Sequence, residues 1–250
     1  MDYIYDGSFS GFLTVIFLAY KDLENISIKT ESRQENLFAD LVKVETDYKL
    51  AKRVERGLAD KFSPRFFRSV SLCFRSFEKD KEEVIARTIK GMYREGFSYL
   101  KSPNDDPVKF NAYIKNVLGE NHDYKGLLRF EELADGTFYA RFRPKNDIID
   151  LIYSHFVDRM PNEKFIIHDL GRRLAIFYKD GLVDLMEVDD FAYETTKEEE
   201  YFSKAWQEFY QAIKIDQREN KKLMAANMPK YRWEFLTEKN IKDKKKRDKD

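Results

Sequence analysis

The side chains best suited to proton transfer in this sequence are three histidines, His122, His155 and His168, the last followed directly by Asp169. Imidazole titrates near neutral pH and is a frequent metal ligand. A convergence of the three with Asp169 would make an acid–base or metal-assisted hydrolytic site. Their spacing matches no helix-borne zinc motif, so each could equally be bonded to a neighbouring carbonyl or carboxylate. A second set is cationic: Lys125, Arg129, Arg141, Arg143, Arg172, Arg173 and, near the C-terminus, Lys230. Guanidinium forks match phosphate oxygens in two-point geometry. The aromatic neighbours Phe130, Tyr139 and Phe142 offer surfaces on which unpaired bases stack. The competing reading pairs these arginines with Glu131, Glu132 or Asp135 on a solvated strand face.

These residues depend on two β-ribbons. Residues 126–130 and 138–142 flank Asp135-Gly136, the dipeptide of a tight hairpin turn. Residues 165–168 and 174–178 flank a polar turn, giving a second hairpin, and a further strand follows Asp180-Gly181 from Leu182 to Val188. Arg141 and Arg143 alternate with Phe142 and share one face. A helix over Asp147–Met160 separates the ribbons and carries His155.

Before the ribbons the period is helical. Asp2–Gly7 reads as a short strand, Ser8 caps a helix through Lys21, residues 22–36 read as a polar loop and Leu37–Glu45 as a strand. Helices follow from Asp47, over 64–77 (with Pro64 in its first turn), over 81–100, and after the break at 102–107, making a helical block over about 47–121. Residues 196–213 and 218–227 read as helices. The expected fold is α+β: a mostly antiparallel sheet of hairpins packed against a helical block, in a single domain over residues 1–237 with a charged tail over 238–250.

Composition narrows the function. The 250 residues carry 45 basic and 45 acidic side chains, so a freely basic nucleic-acid binder is not indicated. The charge is blocked, however. Residues 43–68 hold eight basic against four acidic, residues 187–200 seven acidic against one basic, and residues 239–250 seven basic against three acidic. Such a layout steers an anionic partner to one face. One cysteine, Cys73, excludes a disulfide framework and fits a reducing, cytoplasmic setting. No apolar run is long enough to span a bilayer, so no membrane partner is expected. Phosphate-loop, dinucleotide, zinc-ribbon and nucleophile-elbow signatures are missing. No cofactor or metal is expected in this chain, and no enzyme class is fixed.

Several short motifs occur together: Tyr5-Asp6-Gly7-Ser8-Phe9 with Gly11-Phe12-Leu13; His122, Tyr124-Lys125-Gly126 and Arg129-Phe130; His155-Phe156 with Arg159; Asn162 to Asp169; and Asn227-Met228-Pro229-Lys230 with Trp233. In this order they resemble the bacterial family called domain of unknown function 4130, over about residues 2–237. The resemblance implies work in DNA metabolism or DNA repair beside a radical-SAM protein, with the iron–sulfur cluster and SAM held by that partner. Related domains are fused to a uracil-DNA-glycosylase-like domain. The implied activity is binding of single-stranded or damaged DNA and its transfer to the partner. Two other readings stay open: a stand-alone metal- or histidine-dependent nuclease or glycosylase-like hydrolase, and a protein adaptor without DNA contact.

Overall fold

A computed structural model describes residues 2–30, 41–213, 215 and 220–239. The contacts fall into two compact units, Met1–Gly119 and Glu120–Asp250.

In the first unit, β1 (Asp2–Tyr5) lies between β2 (Ser27–Thr30) and β3 (Leu41–Lys43), and both pairings are parallel. The expected strand at the N-terminus is present. The expected loop contains β2, and the strand expected from residue 37 is described only from Leu41. Helix α1 (Phe9–Leu18) joins β1 to β2 as a crossover, the connection parallel strands require. Ser8 caps it, accepting from the Gly11 N–H. The helical block consists of α2 (Tyr48–Lys61), α3 (Pro64–Phe74), α4 (Lys81–Glu95), a 3₁₀ turn over Gly96–Lys101 and α5 (Asp105–Leu127). Gly96, at φ +67°, ends α4 five residues before the expected boundary, because an L-residue resists that backbone. Phe12, Val15, Ile16, Leu58, Phe66, Val70, Ile85, Ile89 and Phe110 form the buried core of this unit.

The second unit takes the last turns of α5 and a five-stranded sheet in the order β4-β5-β6-β7-β8. The strands are β4 (Phe130–Glu132), β5 (Phe138–Phe142), β6 (Phe165–Asp169), β7 (Leu174–Lys179) and β8 (Leu182–Glu187). Both hairpins and the strand after Gly181 form, but the first strand, expected over 126–130, is Phe130–Glu132, because α5 continues to Leu127. Asp180 and Gly181 have φ +51° and +79°, the pair of positive values that a two-residue hairpin turn needs. The sheet is nevertheless mixed, since β5 and β6 pair in parallel through the crossover helix α6 (Ile149–Arg159). The α+β class therefore holds, with two sheets in place of one mostly antiparallel sheet. The helical block packs on the small parallel sheet, as the contacts of α4 with β2 and of α1 with β1 show.

Helix α7 (Lys197–Ala212) is capped by Thr196, and a short helix α8 (Lys221–Asn227) follows. Residues 218 and 219, placed in the last helix by sequence, lie outside the described residues, as do residues 240–250 of the expected tail. Glu238 is buried and bonds Arg129 and Trp206, so the second unit extends at least that far. No described helix is long and apolar enough to cross a membrane.

Candidate nucleic-acid interface

Strand alternation sorts the second sheet into two faces. Phe165 and Ile167 share one face. The Phe165 ring meets Phe130, whose ring meets Phe156 of α6 at 5.0 Å, so α6 covers that face. Tyr139, Arg141 and His168 lie on the other face, with Arg141 and His168 in register across β5 and β6.

His168 is fully buried there. Its Nε2 lies 3.1 Å from the Val188 carbonyl oxygen, which only accepts, so Nε2 carries the proton. In the neutral ring Nδ1 then accepts from the Tyr139 hydroxyl at 2.7 Å. The Phe191 ring lies nearly parallel to the imidazole. Burial holds the His168 pKa below its ordinary value, against the Val188 bond and the nearby Asp190 and Asp169. Between the lowered folded pKa and the ordinary value near 6.5, the unfolded chain binds a proton that the folded chain does not. Stability is accordingly expected to fall as pH drops below about 6.5. Thermal midpoints from pH 8 to pH 5 should show this decline, and His168→Gln should flatten it. An unchanged slope in the variant would assign the pH dependence to other groups.

The other two histidines are elsewhere. His155 is half-buried on α6, its ring against Phe156, on the opposite side of the sheet from the His168 side chain. His122 is exposed on α5 rather than at a helix-to-strand junction, because α5 continues to Leu127. The three imidazoles do not share one site, and His168 follows the reading of a ring bonded to its neighbours. Among the described residues no group of three or more His, Cys, Asp or Glu could hold a metal ion.

Asp169 has a structural task. It is buried, and its Oδ1 accepts from the Gly171 and Arg172 N–H groups at 2.9 and 3.2 Å, while Oδ2 accepts from the Arg172 guanidinium at 2.9 Å. Burial raises its pKa above the usual carboxylate range despite Arg172. These bonds fix the β6–β7 turn. Arg172 also donates to the carbonyls of Pro144 and Lys145, tying that turn to the loop before α6.

The cations divide by the exposure of their partners. Arg129 pairs with Glu238 at 3.2 Å and Arg172 with Asp169, and each acidic partner is nearly or wholly buried. Arg143 pairs with Glu234 at 3.3 Å and Arg173 with Asp189, with all four side chains roughly half exposed or more. Exposed pairs contribute only about 0–1 kcal/mol. Arg141 is intermediate. Its guanidinium lies over the rings of Tyr193 at 4.9 Å, Phe235 at 5.4 Å and Tyr139 at 6.0 Å, with Glu131 at 3.9 Å. Lys145 is exposed two residues beyond Arg143, and its ammonium sits over Tyr231 at 4.9 Å. Lys230 is exposed and Lys125 half-buried.

Sequence reading missed Tyr193 and Phe235, whose rings lie beside Arg141, and Phe191, which packs on Tyr139 and His168; Tyr139 and Phe142, read as stacking surfaces, are buried. It also missed Glu120, which is buried and accepts from the Lys145 and Asn146 N–H groups at 3.1 and 2.8 Å, the Asn146 amide at 2.6 Å and the Tyr231 hydroxyl at 2.9 Å. Arg232 sits beside it, bonded to Asp123 and to the Tyr231 hydroxyl. No periodicity marks such pairs, since Tyr231 is 111 residues from Glu120.

The fold and this face define the class: an α+β protein whose second unit presents an aromatic and guanidinium cluster on a mixed sheet. The family model described as Domain of unknown function (DUF4130) matches residues 79–238, more than half of the chain, and the chain belongs to that family. The match contains the whole second unit through Glu238, whereas the Tyr5–Leu13 motif lies outside it. No curated protein and no solved structure matches the chain.

Proposed function

We propose that this chain is a DNA-metabolism accessory that holds a single strand at the C-terminal end of β5 in its second sheet and works with a radical-SAM partner. The family resemblance supplies the DNA context. The observation that carries the reading is the run of cations at the end of β5: Arg141 in the strand, then Arg143 and Lys145 beyond it, the last two exposed. The Arg141 guanidinium stands among three rings, and among the described residues the Arg143 side chain pairs with the exposed Glu234. Rings stack on unpaired bases of any sequence, and exposed guanidinium groups exchange carboxylate for phosphate. Arg173 adds a second exchangeable cation, while Arg129 and Arg172 serve the fold. Cys73, fully buried in α3 with its thiol pKa pushed up by burial, is not a nucleophile and fits a reducing, cytoplasmic setting.

The test is binding of a fluorescein-labelled single-stranded oligonucleotide by the purified chain. Arg143→Ala and Arg173→Ala are expected to weaken binding by a similar factor on every sequence, with unchanged thermal midpoints. Arg172→Ala should instead lower the midpoint. Affinity indifferent to Arg143 and Arg173 would remove this face from the account.

A further inference from the structure

The two edges of the second sheet are treated differently. At the β4 edge the chain closes its own sheet: the Thr196 N–H donates to the Glu132 carbonyl at 3.0 Å and the Ala134 N–H to the Glu194 carbonyl at 3.1 Å. The β8 edge has no such cover among the described residues. All six β8 residues are exposed, including Leu182 at 71% and Leu185 at 54%. The Val188 N–H donates to the Arg173 carbonyl. By antiparallel alternation Met186, Asp184 and Leu182 then turn their backbone groups toward β7, and Glu187, Leu185 and Val183 turn theirs outward. Lysine, proline and a bulge are missing from Leu-Val-Asp-Leu-Met-Glu, whose charged side chains, Asp184 and Glu187, repel an acidic strand but not a basic one.

We infer that β8 is a docking strand for an extended segment of another protein, added as a sixth strand and carrying apolar side chains interspersed with lysine or arginine. Its backbone would satisfy the outward groups of Val183, Leu185 and Glu187, as in strand addition generally. Apolar side chains of the segment would cover Leu185 and Met186. Basic ones would meet Asp184 and Glu187, one on each face of the strand, neither of which has a side-chain partner among the described residues. Charge selects this occupant. The strand leads into Asp189 and Asp190, which add to the negative charge that favours a basic segment. A second copy of the chain, paired β8 to β8, would line the seam with like carboxylates. The inference does not depend on the DNA reading.

The probe is a labelled ten-residue peptide of alternating valine and lysine, titrated with the full chain by fluorescence anisotropy. Binding is expected, with the backbone amides of Val183, Leu185 and Glu187 gaining hydrogen-exchange protection. Leu185→Pro removes one outward N–H and should weaken binding up to about tenfold. The double substitution Asp184→Lys with Glu187→Lys leaves the backbone intact and should weaken it at least as much, so a folding defect in the proline variant does not decide the matter. Failure to bind, equal binding of a valine–glutamate peptide, or indifference to both variants would overturn the inference. So would a dimer of the chain that Leu185→Pro dissociates, since the occupant would then be a second copy.

Discussion

Glu120→Ala is expected to destabilise the second unit by about 3–5 kcal/mol, because two backbone N–H groups and a tyrosine hydroxyl lose their acceptor together. Each orphaned buried donor costs about 1–3 kcal/mol, and water reaches this site poorly, with Glu120 and Asn146 both buried. The substitution also releases the start of α6, since Lys145 and Asn146 lead into that helix. The measurement is equilibrium urea unfolding followed by near-ultraviolet circular dichroism. Glu120→Gln keeps one acceptor oxygen and should lose less. A loss below about 1 kcal/mol in the alanine variant would mean that the loop rebonds elsewhere and that Glu120 does not organise it.

Gly91→Ala should also destabilise, although alanine is the better helix former. A Cβ at Gly91 would lie 2.3 Å from two ring atoms of Tyr99, which is itself buried beneath α4. Neither ring nor helix can yield without disturbing the 3₁₀ turn over Gly96–Lys101. Such overpacking costs about 1–3 kcal/mol, set against about 1 kcal/mol of gained propensity. Gly57→Ala provides the internal contrast. A Cβ there meets only the Tyr93 hydroxyl at 3.9 Å, so the propensity gain of about 1 kcal/mol should appear undiminished. Opposite signs for one substitution in two helices would be read directly from unfolding midpoints. Equal signs would mean that Tyr99 moves aside.

What could be read from the residues alone was local. Asp180-Gly181 marked its turn because few other pairs accept positive φ at both positions, and Gly136 marked the other by its own positive φ. Ser8 marked a helix start because its hydroxyl accepts from a first-turn N–H, and Pro64 because it brings no N–H to a turn where none would be bonded. Non-local pairing was not legible. β2 shows only one buried side chain, Ile28, in four residues, too little alternation to be distinguished from a loop. The parallel β5–β6 pairing depends on where α6 packs, which strand periodicity does not encode. The same limit applied to the site. Arginine at alternating strand positions indicated a face, but the depth of each partner decides its use, and Glu238 and Glu234 lie 109 and 91 residues from Arg129 and Arg143. His168 looked reactive beside Asp169, yet its two ring nitrogens are bound to Tyr139 and Val188 and the carboxylate is bound into a turn.

The central claim is tested most directly by titrating a labelled single-stranded oligonucleotide at several salt concentrations. With Arg143, Arg173 and Lys145 engaged, the logarithm of affinity should fall against the logarithm of salt with a slope of about −2, and Arg143→Ala should reduce that slope by somewhat under one. No measurable affinity at low salt, or a slope that Arg143→Ala leaves unchanged, would contradict the claim.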